Sequence, residues 1–141
     1  MKTKFTKLSS IFLALTLSQS VNAEVFNFTT AVNDKSDTLV VFKSESNAQT
    51  FSAFDRKTDG QLSRALDASQ FNESYGSFVE ILAPHNLNYS RVLVVGLGDK
   101  TLTKAELTKL GGNIAGQLSA SYIQDVSVAA EQFDAQQVSQ L

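Results

Sequence analysis

Alternation of apolar and polar residues over 25–32, VFNFTTAV, predicts a first strand with one face buried, and 33–37, NDKSD, reads as a turn. Residues 38–42, TLVVF, form an unbroken β-branched and aromatic run, the pattern of a strand covered on both faces and therefore central. From Asn47 the period lengthens. Phe51 and Phe54, then Leu62, Ala65 and Leu66, fall at helical spacings broken at Asp59 and Gly60, which predicts two short helices joined at the glycine. A turn-rich stretch over 71–76 leads into the alternating strand 77–82, which stops at Ala83 and Pro84 because proline has no amide to give to a ladder. Residues 91–95, RVLVV, predict the most buried strand by composition, closed by Gly96, Leu97 and Gly98.

Thr103 and Glu106 fit a capping box for a helix running to about Ser121, with Leu107, Leu110, Ile114 and Leu118 along one face. Gly111, Gly112 and Gly116 inside that helix each cost about 1 kcal/mol relative to alanine, which predicts close approach to a neighbouring element. A last strand is expected over 126–130, and Asp134 is placed to cap a helix beginning at Ala135. Strands interleaved with helices in this order imply an α/β sheet with helices on its faces. The final helix is barely begun at Leu141, which reads as the edge of a domain that continues into another.

The first 23 residues follow a different logic. Lys2, Lys4 and Lys7 stand without an acid ahead of an apolar block over 8–17, and Val21, Asn22 and Ala23 close it with small residues where a signal peptidase reads. The apolar block is too short for a membrane-spanning helix, which needs about 20 residues. The expectation is an export signal over 1–23 cut between Ala23 and Glu24, followed by one domain over 24–141 that works in the periplasm or is secreted, with no membrane contact after cleavage. Three lysines and no acid leave with that segment, so twelve Lys plus Arg become nine against fourteen Asp plus Glu, and the net charge moves from -2 to -5. Without a cluster of cations, nucleic acid is an improbable partner. The chain has no cysteine, which excludes thiol catalysis and cysteine-ligated metal.

The segment RVLVVGLG over 91–98, followed by LTKAEL over 102–107 and a glycine- and alanine-rich helix, resembles the N-terminal domain of M17 leucyl aminopeptidases. DTLVVF over 37–42 is similar to that domain's early strand, and GQLSRAL over 60–66 to its G-x-L-S-x-x-L helix. One departure stands between Phe71 and Gly76, where the family has a Gly-Lys turn and this chain has NESY. The resemblance implies a macro-domain-like mixed sheet flanked by helices, ahead of a separate peptidase domain, with a part in organising a hexamer. It places the family's two divalent metal ions, zinc or manganese, in that second domain, within a signature resembling N-T-D-A-E-G-R-L that this chain does not contain. No catalytic, cofactor-binding or metal-binding residue is therefore expected here. The expected partners are an M17 catalytic domain or a full-length aminopeptidase, with at most a weak homo-oligomer. Two readings stay open: a truncated product of a longer gene, or an independent domain binding a small ligand or protein partner.

The remaining candidates are weighed on their own residues. Gly96, Leu97, Gly98 and Asp99 lie where a phosphate loop would sit, but the third glycine is missing and a structural turn is expected. His85 is the single histidine, in a loop with no partner evident, so it reads as a surface residue rather than a base. Asp55 with Asp59, and Asp34 with Asp37, are spaced to share a helix face, yet a divalent cation needs more oxygens, and solvated acids are expected. Serines are plentiful, but there is no G-x-S-x-G elbow. Phe51, Phe54, Phe71 and Tyr75 are expected to cover the sheet rather than to form an interface.

Overall fold

The computed structural model describes residues 25–29, 37–46, 48–119 and 125–141. The segment expected to direct export, with its Ala23 and Glu24 junction, and the acid Asp34 lie outside the described residues. The elements are β1 (Val25–Thr29), β2 (Thr38–Lys43), α1 (Gln49–Lys57), α2 (Gln61–Ala68), β3 (Phe78–Leu82), β4 (Arg91–Gly96), α3 (Lys104–Ser119), β5 (Asp125–Ala129) and α4 (Ala135–Val138).

One five-stranded sheet runs in the order β1-β5-β2-β4-β3. Four strands are parallel, and β3 pairs antiparallel with β4 at one edge, Phe78 opposite Val95 and Leu82 opposite Arg91. The apolar run of β2 takes the middle, as its composition requires, with Leu39, Val40 and Val41 fully buried. Alternate residues serve opposite faces. Val40, Phe42, Leu93, Val95, Val126 and Val128 pack with Leu110, Ile114 and Leu118 of α3. Leu39, Val41, Val92, Val94 and Ala129 pack with Phe51 and Phe54 of α1 and Leu62 and Leu66 of α2. This is the α/β class expected, with a mixed sheet between two helical layers.

Local chemistry sets the boundaries. Asp59 and Gly60 both take positive φ, 52° and 76°, and turn the chain from α1 into α2. Gly60 stands at the N-cap of α2 and offers no side chain, so Asp55 reaches across from α1 and accepts from Ser63 N at 2.9 Å and Ser63 Oγ at 2.6 Å. Asp55 and Asp59 therefore do not share a helix face, because α1 ends before Asp59, and Asp55 is a bonded cap rather than a solvated acid. The capping box at α3 forms as its sequence indicates: Glu106 accepts from Thr103 N at 2.9 Å, and Thr103 Oγ1 accepts from Glu106 N at 3.3 Å. Asp134 makes the equivalent box with Gln137 at α4.

The helix glycines divide. A Cβ on Gly111 would stand 1.7 Å from the Leu141 carbonyl oxygen, so the C-terminal segment does approach closely there. Gly112 and Gly116 have nothing within 4 Å, which corrects the expectation of packing at those two positions. They lie on the exposed side of α3, away from the face that meets the sheet.

Candidate functional site

The carboxyl ends of β2, β4 and β5 lie on one side of the sheet, where parallel strands point the same way, and hold the turn over 96–99 that sequence chemistry singles out. At the end of β4, Gly96 N donates to Ser77 O at 2.9 Å, Leu97 N to Lys43 O at 3.0 Å and Gly98 N to Glu73 O at 2.9 Å. A phosphate loop needs amides free to face an anion, and these three are committed to carbonyls. The glycines serve packing instead. A Cβ on Gly96 would lie 2.3 Å from Ser77 Oγ and 2.4 Å from Ser74 O, while Gly98 takes φ 71° beneath Tyr75. The turn reading holds.

The loop between α2 and β3, where this chain departs from the family it resembles, is pinned onto that turn by its own side chains. Glu73, at φ 57°, forms an ion pair with Lys43, whose ammonium also lies 5.3 Å from the Phe51 ring centroid. Tyr75 donates its hydroxyl to Glu106 O at 2.7 Å, and its pKa is raised, first by burial and then by the Glu106 charge. Glu106 is held down to about 2, chiefly by the hydrogen bond from Lys100 Nζ at 2.6 Å, then by the Thr103 amide and hydroxyl. Lys100 is correspondingly raised by Glu106.

Below this turn, a cleft of about 200 Å³ opens among Ser44, Ser46, Gly98, Lys100, Gln132 and Gln137. The Gln132 side-chain nitrogen and oxygen are both shut off from solvent and, among the described residues, without a hydrogen-bond partner. Each such orphan costs about 1–3 kcal/mol. No periodicity or motif in the sequence marks Gln132. A second, wider cleft, about 680 Å³, runs between α1 and residues 86–89, where Thr50 donates to Glu131 at 3.0 Å.

The other candidates are dispersed. His85 Nε2 stands 3.5 Å from Asp59 Oδ2, so it has a neighbour the sequence did not reveal, but the two side chains are 61% and 72% exposed. Such openness leaves nothing to fix the ring for catalysis. Asp37 is not helical; its carbonyl accepts from Ser90 N and Arg91 N. Phe51 and Phe54 are buried and Phe71 and Tyr75 pack against the two core clusters, so the aromatics cover the sheet. Among the described residues the exposed large apolar side chain is instead Leu82, on the edge strand. Among the described residues there is no group of three or more His, Asp or Glu that could hold a metal ion. Among the same residues, no helix is long and apolar enough to cross a membrane.

Residues 38–140 match the family described as the cytosol aminopeptidase family, N-terminal domain. A probable cytosol aminopeptidase 1 of Shewanella oneidensis is 43% identical over 108 residues, covering 75% of this chain and 22% of that protein. A probable cytosol aminopeptidase of Rhodopseudomonas palustris strain BisB5 is 42% identical over 59 residues, covering 41% of this chain and 12% of the relative. A mutant of tomato leucine aminopeptidase shares the fold with a TM-score of 0.60 at 18% identity, over 77% of this chain and 23% of its own. The chain thus spans about a fifth of the length of the Shewanella relative. The matched range takes in well over half of the sequence: this chain belongs to the cytosol aminopeptidase family, as its N-terminal domain.

Proposed function

We propose that this chain is an exported, non-catalytic module that assembles with, or binds to, an M17 peptidase domain. The observation that carries the reading is the match to the family's N-terminal domain over 38–140, in a sequence without the N-T-D-A-E-G-R-L signature that the resemblance assigns to catalysis. The site chemistry agrees with it. The strand-end amides are used internally, the lone histidine is open to solvent, and Asp55 at the α1–α2 corner and Glu106 at the α3 start each cap a helix. Metal-dependent release of N-terminal residues belongs, in this reading, to a separate catalytic domain with its two divalent ions. Export is supported by the lysine-led apolar block and the small residues ending at Ala23, and it sets this chain apart from relatives named cytosol aminopeptidases.

Purified chain assayed on leucyl anilide with added zinc or manganese is expected to show no turnover; activity that survives repurification would overturn the non-catalytic reading. Expression with residues 1–23 intact, followed by cell fractionation and N-terminal sequencing, tests export. The expected result is periplasmic or secreted protein beginning at Glu24, whereas an intact N-terminus in the cytoplasm sinks it.

A further inference from the structure

The cleft at the carboxyl ends of β2, β4 and β5 contains a feature that the packing of the domain does not use. Gln132 lines it, and both polar atoms of the side-chain amide are shielded and unpartnered. A carboxamide offers a donor and an acceptor on one planar edge, and burying both without partners is unfavourable unless something else completes them. Because the amide makes no hydrogen bond where it lies, turning it toward the cleft forfeits none. The two charged side chains on the lining, Asp99 and Lys100, are opposite in sign, and Lys100 is committed to Glu106. Among the described residues no unpaired cation lines it to favour an anion, and the rest of the wall is neutral, polar at Ser44, Ser46, Thr101 and Gln137 and apolar at Leu97, Leu102 and Phe133. Crevices outside the carboxyl ends of parallel strands are also where open α/β sheets take ligands.

We propose that this cleft is a binding subsite for a small neutral ligand carrying a planar donor–acceptor pair, the edge of a carboxamide or peptide bond, read by the Gln132 amide. The cleft's 200 Å³ suits a ligand of one or two such groups rather than a long peptide.

Two-dimensional proton–nitrogen NMR on the chain, titrated with N-acetylglycinamide, tests it. The Gln132 side-chain NH2 pair, identified by its loss in Gln132→Leu, is expected to shift saturably together with the backbone amides of Ser44, Ser46 and Thr101. N,N-dimethylacetamide keeps a carbonyl but has no N–H, and should bind at least about tenfold more weakly. Gln132→Leu should retain a folded spectrum and lose the response. If that variant does not fold, near-isosteric Gln132→Glu, which replaces the NH2 donor with oxygen, must lose it. Absence of saturable shifts, equal binding of the two probes, or a response that persists in the variant would overturn the proposal, leaving Gln132 as a residue completed by trapped water only.

Discussion

At the scale of single residues, glycines that look alike in sequence do opposite things. Gly96→Ala drives a methyl into Ser77 Oγ and the Ser74 carbonyl, and overpacking of this kind costs about 1–3 kcal/mol or more. Gly112→Ala meets nothing within 4 Å and gains helix propensity, so it should stabilise by about 1 kcal/mol. Urea midpoints of the two variants should therefore move in opposite directions, and movement of both the same way contradicts the packing described here. The sequence announces each glycine but not what faces it, since the Gly96 contacts come from a loop some twenty residues earlier in the chain. Gln132 was silent for the same reason: a buried amide has no period, and its isolation is a property of neighbours brought from three strand ends.

Glu106 supplies a pH dependence at the same scale. Its folded pKa of about 2 lies below the ordinary 4.5, so its stabilising contribution is complete above 4.5 and is lost as the pH falls from there through about 2. The melting-temperature gap between the parent chain and Glu106→Gln should narrow over that interval, and a constant gap would show that Lys100 and Thr103 do not hold the carboxylate in solution.

Among the elements, the helix starts are the most exact correspondence between sequence and structure, because a cap is a local device written within four residues. Asp134→Ala removes the acceptor for Gln137 N and should cost about 1 kcal/mol, read as faster hydrogen exchange at Gln137 and Val138. Asp55 is the counterexample. Its partner Ser63 lies in the next helix, and no helix-start pattern centred on Gly60 reveals that the cap is borrowed. Asp55→Ala is expected to loosen the α1–α2 corner by about 1 kcal/mol while Asp59→Asn, which keeps a residue tolerant of the positive φ and loses only an exposed contact with His85, changes little; equal effects in thermal melts would refute the cap. Strand identity was similarly legible from composition, and the unbroken run in β2 correctly marks the centre of the sheet. Strand order was not. It depends on pairings between distant segments, such as Val25 with Asp125, for which local pattern contains no instruction.

For the whole molecule, the two helical layers use both faces of the sheet, and what remains available is its rim, including the β3 edge with exposed Leu82. Size-exclusion chromatography with light scattering is expected to give a monomer or a weak oligomer, as suits a module whose proposed partner is a peptidase domain rather than further copies of itself. A stable hexamer of this chain alone would contradict that reading.

The pairing of β1 with β5 has a further consequence, for the order in which the domain can be completed. The strand nearest the start of the described chain leans on a strand a hundred residues later, and β5 must also insert between β1 and β2. During synthesis the early segment has no ladder to join until residues 125–129 have emerged, and contacts of such long range are formed late because loop closure precedes any gain from them. The β2, β4 and β3 ladders can close before β5 exists, whereas the β1 side of the sheet is a clasp that shuts only once β5 has been made.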